Sequence, residues 1–83
     1  MQKEEYAKAF GEHLKSLINE KGITQKELAE KTELTEAAVS RYIKGDRVPG
    51  VMQACRIACG IGVDMNTLTN VKGEKYDPFH NTD

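Results

Sequence analysis

The sequence predicts an all-α domain of five helices, and three features of its 83 residues carry this prediction. Apolar residues recur at helical spacing through most of the chain, as expected when each helix buries one stripe of its surface. Residues that cap helices precede these stretches, and glycines follow them. No stretch alternates apolar and polar residues between hairpin turns, so strands are not expected.

The first predicted helix extends from about residue 2 to residue 20. Its apolar side chains follow a 3.6-residue period and fall on one stripe: Tyr6, Phe10, Leu14, Leu17 and Ile18. Gly22 follows the last of them and is expected to end the helix, because glycine readily takes a positive φ. Ile23 comes next and is predicted to enter the core.

Two shorter helices follow. Thr24 is predicted to cap the second helix, and Glu27 three residues later completes a capping box. Thr35 caps the third helix, which extends to Lys44 and ends at Gly45. One side of the third helix is predicted to be core, and it consists of Ala38, Val39, Tyr42 and Ile43.

A loop over residues 46–50 precedes the fourth predicted helix, which extends from residue 51 to about residue 59. Its predicted inner side contains Val51, Ala54, Cys55, Ile57 and Ala58. Gly60 and Gly62 are predicted to end this helix. Asp64 then caps a short fifth helix that contains Met65 and Leu68. Residues 71–83 are more polar, which predicts a domain over residues 1–70 and a tail over residues 71–83.

Cys55 and Cys59 stand one helical turn apart. A disulfide at this spacing would distort the helix, so we predict two reduced thiols, with Cys55 buried in the core. A redox pair or a metal site is the alternative for these thiols. Zinc is disfavoured because neither His13 nor His80 stands at ligand spacing from a cysteine.

Size, charge and composition exclude several classes of protein. One small domain of net charge −1 has no room for a two-lobed enzyme and carries no overall basic coat. No apolar run approaches the length of a membrane helix, and the N-terminus lacks a signal-peptide core, which predicts a cytoplasmic protein. No nucleophile has a base beside it, and no glycine-rich phosphate loop or metal-ligand set is present. We therefore expect neither an enzyme nor a cofactor.

The outer side of the third helix is the most informative surface in the sequence. It carries Glu36, Ala37, Ser40, Arg41 and Lys44, with the small residues early and the cations late. Such a helix fits a DNA major groove, because small side chains let the backbone approach and polar groups reach base edges. An ordinary solvated helix face is the alternative. The short helix before it favours the DNA interpretation, because two short helices joined by a tight turn form a helix-turn-helix unit.

Residues 23–63 resemble the Cro/phage-repressor family, also called the XRE-type helix-turn-helix family. The matching stretches read ITQKELAEKT over residues 23–32 and LTEAAVSRYIKG over residues 34–45. RVP over residues 47–49 and IACGIGV over residues 57–63 match the later helices of the family. The resemblance implies a lambda-repressor-like bundle of five helices that contains a helix-turn-helix.

The resemblance also implies roles for individual residues. The positions that usually reach base edges in the family are Glu36, Ala37, Ser40 and Arg41. The positions expected to contact phosphate are Thr24, Gln25, Thr35, Lys44 and Arg47. These roles agree with side-chain chemistry, since an arginine can donate two parallel hydrogen bonds to guanine and a glutamate can accept one from cytosine.

Two departures from the family pattern have physical consequences. Glu33 stands where the family usually has a glycine, so we expect a glutamate at positive φ. Glu36 adds a negative charge close to the expected phosphates. Residues 24–47 hold equal numbers of basic and acidic residues, so affinity must depend on specific contacts and on the pairing of two subunits.

The sequence therefore predicts a sequence-specific DNA-binding transcriptional regulator, and we expect a repressor that occludes its operator. The predicted partner is double-stranded DNA with an inverted repeat, bound by a homodimer. Candidate dimer contacts are Met65, Leu68 and the aromatic residues Tyr76 and Phe79. The alternative is a protein-interaction module, such as an antitoxin-like partner or a phage regulator.

Overall fold

The computed structural model describes residues 2–71 and 74–75. In this part of the chain it has five α-helices: α1 (Lys3–Lys21), α2 (Gln25–Thr32), α3 (Glu36–Lys44), α4 (Val51–Ile61) and α5 (Met65–Thr69). β1 (Asn70–Val71) then pairs with β2 (Glu74–Lys75) in a short antiparallel ladder. The prediction of an all-α bundle is confirmed, and the two-residue strands are an addition that the sequence pattern did not indicate.

The core lies between α1, which packs mainly against α3, and α2, which packs against α3 and α4. Its largest fully buried side chains are Phe10, Leu14, Leu28, Val39, Ile57, Leu68 and Val71. All five residues of the predicted α1 stripe are buried. Because every helix contributes to a single core, the position of each short helix depends on its tertiary contacts as well as on its own sequence.

Threonine caps fix the starts of α2 and α3. The Thr24 hydroxyl accepts a hydrogen bond from the Glu27 backbone N–H at 3.0 Å, and the Glu27 carboxylate accepts one from the Thr24 N–H at 2.9 Å. The Thr35 hydroxyl accepts a hydrogen bond from the Ala38 N–H at 3.0 Å. Both predicted caps are confirmed, and the two helices begin where local sequence places them.

The turn between α2 and α3 depends on an unusual backbone conformation at Glu33. Its φ is 61° and its ψ is 24°, and it is the one residue other than glycine with a positive φ in the described part of the chain. This confirms the expectation for Glu33. The next residue, Leu34, donates its N–H to the carbonyl of Ala29 at 3.1 Å, so the chain reverses tightly after α2.

The closest approach between α1 and α3 occurs at Gly11, which lies within α1 and is buried. A Cβ atom at this position would overlap the carbonyl oxygen of Ile43 and would lie 2.7 Å from that of Tyr42. A second close contact joins the same two helices, because Gly45 lies against the backbone of Lys8. The C-terminal turn of α3 is therefore held directly against the α1 backbone.

The buried side of α4 differs from the predicted one. It consists of Ala54, Ile57, Ala58 and Ile61, whereas Val51 is 67% exposed. Cys55 is exposed, so the prediction that it is a core residue is wrong, and Cys59 is exposed as well. The reason is rotation: Ile61 belongs to the helix and centres the buried stripe about 100° away from Cys55. The two cysteines are unbridged, as predicted.

Gly60 has a different role from the predicted one. It lies inside α4, which continues to Ile61 and ends at Gly62. A Cβ atom at Gly60 would lie 3.0 Å from the Thr32 methyl group, so the missing side chain lets α4 approach the end of α2.

The end of the described chain is tied to α1. The Tyr6 hydroxyl donates to the carbonyl of Thr69 at 2.6 Å, and His13 Nε2 lies 2.8 Å from the carbonyl of Thr67. Val71 is fully buried although the sequence suggested that a polar tail begins there. The packed region thus includes at least the first residue of that segment.

The two candidate dimer contacts in α5 differ in exposure. Leu68 is fully buried inside its own chain, so its prediction as a subunit contact is wrong. Met65 is half-buried and packs against the core. Tyr76 and Phe79 lie outside the described residues.

The contact at Gly11 gives a prediction about stability. Alanine normally stabilises an open helical position by about 1 kcal/mol relative to glycine. At Gly11 the added methyl group would meet two carbonyl oxygens, so we expect Gly11→Ala to destabilise the domain by about 1–3 kcal/mol. Ser16→Ala is the control, because Ser16 lies at an exposed position of the same helix, where alanine should not destabilise. Urea unfolding measures both, and a Gly11→Ala variant as stable as the parent would contradict the contact.

The Glu33 backbone gives a second prediction. A side chain in the left-handed region costs about 1–2 kcal/mol, so we expect Glu33→Gly to stabilise the domain by about 1 kcal/mol and to raise Tm by about 4–8 °C. Glu30→Gly is the control, because Glu30 lies within α2, where glycine should destabilise. Thermal melts of both variants and of the parent measure these effects. A lower Tm for Glu33→Gly than for the parent would refute the proposed strain.

Candidate nucleic-acid interface

The outer face of α3 is displayed to solvent as the sequence predicted. Among the expected base-contacting residues, Glu36, Ala37 and Arg41 are exposed and Ser40 is half-buried. The opposite face anchors the helix in the core through Val39, Tyr42, Ala38 and Ile43. One face is therefore held by packing, and the other is available to a ligand.

The order of side chains across this face follows from helix geometry. At about 100° per residue, Ala37 and Lys44 project from the middle of the exposed face. Ser40 and Arg41 lie on either side of that line. Ser40 is on the side next to Ile43, which explains why it is half-buried. The middle of the face thus carries a small side chain, Ala37, in the first turn and a cation, Lys44, in the last turn.

The expected phosphate-contacting residues lie in or directly beside α2 and α3. Thr24, Gln25, Thr35, Lys44 and Arg47 are all exposed. Gln25 is the first residue of α2, and Thr35 immediately precedes α3. Lys44 ends α3, and Arg47 lies in the loop that follows. The polar groups therefore lie at the helix starts, and the cations lie at the end of α3.

The helix starts retain hydrogen-bond donors after capping. Each capping threonine accepts from the third backbone N–H of its helix, and its hydroxyl still has a proton to donate. The first two N–H groups of each helix have no partner within the helix. At α2 and α3 these groups, together with the helix dipole, favour an anion such as a phosphate.

The charges along α3 also serve the helix itself. Glu36 lies in the first turn, and Arg41 and Lys44 lie in the last turn, which is the distribution that the helix dipole favours. This distribution alone does not require DNA. The small residues between the charges are better explained by a close approach of another surface, because they leave the backbone accessible.

The structure adds Lys8 to the cations at this end of the molecule. Lys8 is exposed, and its backbone abuts Gly45 directly after α3. The sequence pattern gave no reason to place it there, because Lys8 is far from Gly45 in the chain. The feature of the sequence that could have indicated this contact is Gly11, because a glycine on the inner side of a helix can mark the close approach of another backbone.

Two exposed carboxylates near helix starts are stabilised in the charged form. The backbone N–H of Thr24 holds the pKa of Glu27 below its usual value, with help from the Thr24 side chain and Lys31. The backbone N–H of Thr67 likewise lowers the pKa of Asp64, whose Oδ1 accepts that hydrogen bond at 2.7 Å. These shifts reflect helix capping and mark no catalytic group.

The described residues contain neither a cluster of the common metal-ligating residue types nor a membrane segment. Across residues 2–71 no three side chains of His, Cys, Asp or Glu gather into a group that could hold a metal ion. No helix in the same stretch is long and apolar enough to cross a lipid bilayer.

Comparison with known proteins agrees with this geometry. A family model described as helix-turn-helix matches residues 14–68, and no curated protein matches the chain. The restriction-modification controller protein C.AhdI from Aeromonas hydrophila is similar in structure, with a TM-score of 0.72 and 24% identity; the match covers 75% of this chain and 94% of that one.

Two further structures have the same fold. The match to an HTH_3 family transcriptional regulator from Vibrio cholerae has a TM-score of 0.76 and 18% identity, and it covers 81% of this chain and 38% of that one. The match to the clp gene regulator ClgR from C. glutamicum has a TM-score of 0.71 and 22% identity, covering 76% and 82%. The bundle around α2 and α3 is thus shared with solved regulators.

The lowered pKa of Glu27 leads to a prediction about acid stability. Because the folded chain holds this pKa below its unfolded value, the carboxylate stabilises the fold above the unfolded pKa and loses that effect as the pH falls. We expect Glu27→Gln to have a lower Tm than the parent at neutral pH, and the difference to shrink below about pH 4. Asp64→Asn should behave in the same way. A difference in Tm that stays constant from neutral to acid pH would contradict this account.

Proposed function

Since the chain belongs to the helix-turn-helix family of DNA-binding transcriptional regulators, we propose that it binds an inverted-repeat operator as a homodimer and represses transcription by occluding that site. Two copies would place their α3 helices in successive major grooves, about one helical turn of DNA apart. Such a target requires the compartment that holds the DNA, in agreement with the cytoplasmic location that the sequence predicts.

The observation that carries this proposal is the two-sided character of α3. Its inner side is buried against α1 and α2, and its outer side presents small, polar and charged groups, Glu36 among them, without a large apolar residue. A helix that only closed the core would not need small residues at Ala37 and Ser40. Entry into a groove does need them, because a bulky side chain there would keep the backbone away from the bases.

Each base-reading residue has a chemical role in this proposal. Arg41 donates two parallel hydrogen bonds to O6 and N7 of a guanine. Glu36 accepts from a cytosine amino group, and Ala37 contacts a thymine methyl group. Ser40 can donate or accept, and its half-buried position limits it to a base edge close to the helix. These contacts would select the sequence.

The phosphate contacts have a different role. Gln25, Thr24 and Thr35 would bind phosphates together with the free N–H groups at the starts of α2 and α3. Lys44 and Arg47 would neutralise phosphates on the other wall of the groove, and the neighbouring Lys8 extends this cationic end. Contacts of this kind fix the register of the protein on DNA without reading its sequence.

The equal numbers of basic and acidic residues within residues 24–47 support a dimer. Non-specific attraction to DNA grows with the number of phosphates that cations neutralise. Here Glu36 on the outer face of α3 and Asp46 beside Arg47 offset part of the positive charge and weaken this attraction. A single domain would therefore bind weakly, and two domains held on one operator would gain affinity from simultaneous binding.

Substitutions on α3 separate base reading from phosphate binding. We expect Arg41→Ala to cost about 1–3 kcal/mol on the best site and to relax the preference at one base pair. Lys44→Ala and Arg47→Ala should instead weaken binding to all sequences alike, and each should reduce the salt slope by about one. Binding to matched and single-mismatch duplexes at several salt concentrations measures both effects. If all three variants bind like the parent, α3 is not in the groove, and a protein-interaction module becomes the better account.

Selection from a random DNA pool tests the proposal as a whole. The expected result is an inverted repeat with half-sites about 10 base pairs apart. Enrichment of a single unrepeated site would contradict the dimer. A pool in which nothing is enriched would contradict sequence-specific binding. Repression needs a separate test, which is the effect of the operator on transcription from an adjoining promoter.

A further inference from the structure

We propose that Met52, Cys55 and Cys59 on the outer side of α4 form a binding site for a soft monovalent metal ion of the Cu(I) type, with two thiolates and one thioether as its ligands. The sequence left a metal site open as an alternative for the two thiols. None of the residues proposed to contact DNA belongs to this site, so the inference goes beyond the proposed function and does not depend on it.

All three sulfur-bearing side chains are open to solvent. Met52 is 69% exposed, and both cysteines are exposed and unbridged. Cysteine and methionine are among the residue types most often buried. Within residues 2–71 the only other sulfur-bearing side chain is that of Met65, which is half-buried against the core. Three accessible sulfur atoms on one short helix are therefore a feature that packing of the core does not explain.

The spacing brings the three side chains to one side of α4. Cys55 and Cys59 are four residues apart, and Met52 precedes Cys55 by three. Residues three or four apart on a helix are neighbours, with Cβ atoms about 5–6 Å apart. Helical side chains lean toward the N-terminus of their helix, so both thiols lean toward the turn that carries Met52. Because the methionine side chain is long and flexible, an ion between the two thiols is within reach of the thioether as well.

The donor atoms on this side of α4 select a soft ion. The helix contains no Asp, Glu or His, and no three side chains of His, Cys, Asp or Glu gather within the part of the chain that the structure describes. The oxygen ligands of Mg²⁺ and Ca²⁺ and the four ligands of a structural zinc site are therefore not assembled here. Methionine lies outside that set of residue types and supplies the third donor. Thiolate and thioether sulfur together favour Cu(I).

The charge beside the sulfur atoms also fits a monovalent ion. Each thiol gives up its proton when its sulfur bonds to the metal. One Cu⁺ and two thiols therefore give a complex with one net negative charge and release two protons. Arg56 stands three residues before Cys59 and four after Met52, so it borders the same side of the helix. Its permanent positive charge stabilises the negative complex.

Competition for copper tests this inference. The probe is Cu(I), added without oxygen to the full chain in the presence of a coloured Cu(I) chelator. We expect the parent to take one copper per chain from the chelator. Cys55→Ser and Cys59→Ser should each lose at least about hundredfold in affinity, because removing a ligand costs more than removing a group that supports one. Both cysteines are exposed, so the circular dichroism spectra should remain those of the parent.

Methionine substitutions test the third ligand. Met52→Leu keeps an apolar side chain of similar size and removes the thioether, so we expect the affinity for Cu(I) to fall by about tenfold. Met65→Leu is the matched control and should bind like the parent, because Met65 lies in α5 and packs against the core. X-ray absorption at the copper edge should show three sulfur neighbours in the parent and two in Met52→Leu. Two sulfur neighbours in the parent would overturn the three-sulfur site.

Four other results would overturn the site as a whole. A parent that leaves all the copper with the chelator has no such site, and serine variants that bind like the parent would place the copper elsewhere. One copper for every two chains would mean that the ligands come from different copies. Binding of Zn²⁺ as tight as that of Cu(I) would contradict the selection of a soft ion. DNA is absent from these experiments, so failure of the copper site leaves the proposed function untouched.

Discussion

The arrangement of the domain depends on the contact between Gly11 and the last turn of α3. A methyl group at Gly11 would overlap the carbonyl oxygens of Tyr42 and Ile43, so only glycine lets the α1 backbone reach this point. The contact determines how far α3 stands from the longest helix of the bundle. It also determines how far the outer face of α3 projects from the protein surface. A property of the proposed binding face is thus controlled from the opposite side of the helix.

Local signals define the helix-turn-helix, and tertiary contacts orient it. The Thr24 and Thr35 caps set the first residues of α2 and α3, and the left-handed backbone at Glu33 sets the angle between them. Glu33 accepts strain that a glycine would avoid, and the structure maintains it because residues on both sides of the turn are anchored in the core. Gly60 supports the same unit by admitting α4 next to Thr32 at the end of α2.

The difference between local signals and tertiary contacts explains which features could be predicted from the sequence. The caps at Thr24, Thr35 and Asp64 depend on neighbouring residues alone, and they fixed the helix starts correctly. The exposed face of α3 could be predicted from the helical spacing of its apolar residues. The errors concern long-range packing. The apolar pattern of α4 predicts Cys55 in the core, whereas the buried side consists of Ala54, Ile57, Ala58 and Ile61, and the burial of Val71 depends on contacts with α1. No local pattern contains that information.

The charge of the region around α2 and α3 bears on how the proposed DNA binding would work. Residues 24–47 hold equal numbers of basic and acidic residues, so the proposed interface would gain little from general attraction to DNA. Discrimination between sequences would then depend on the side chains on the outer face of α3. Two domains on one operator would gain affinity from simultaneous binding, so tight binding would be confined to DNA that carries two correctly spaced sites.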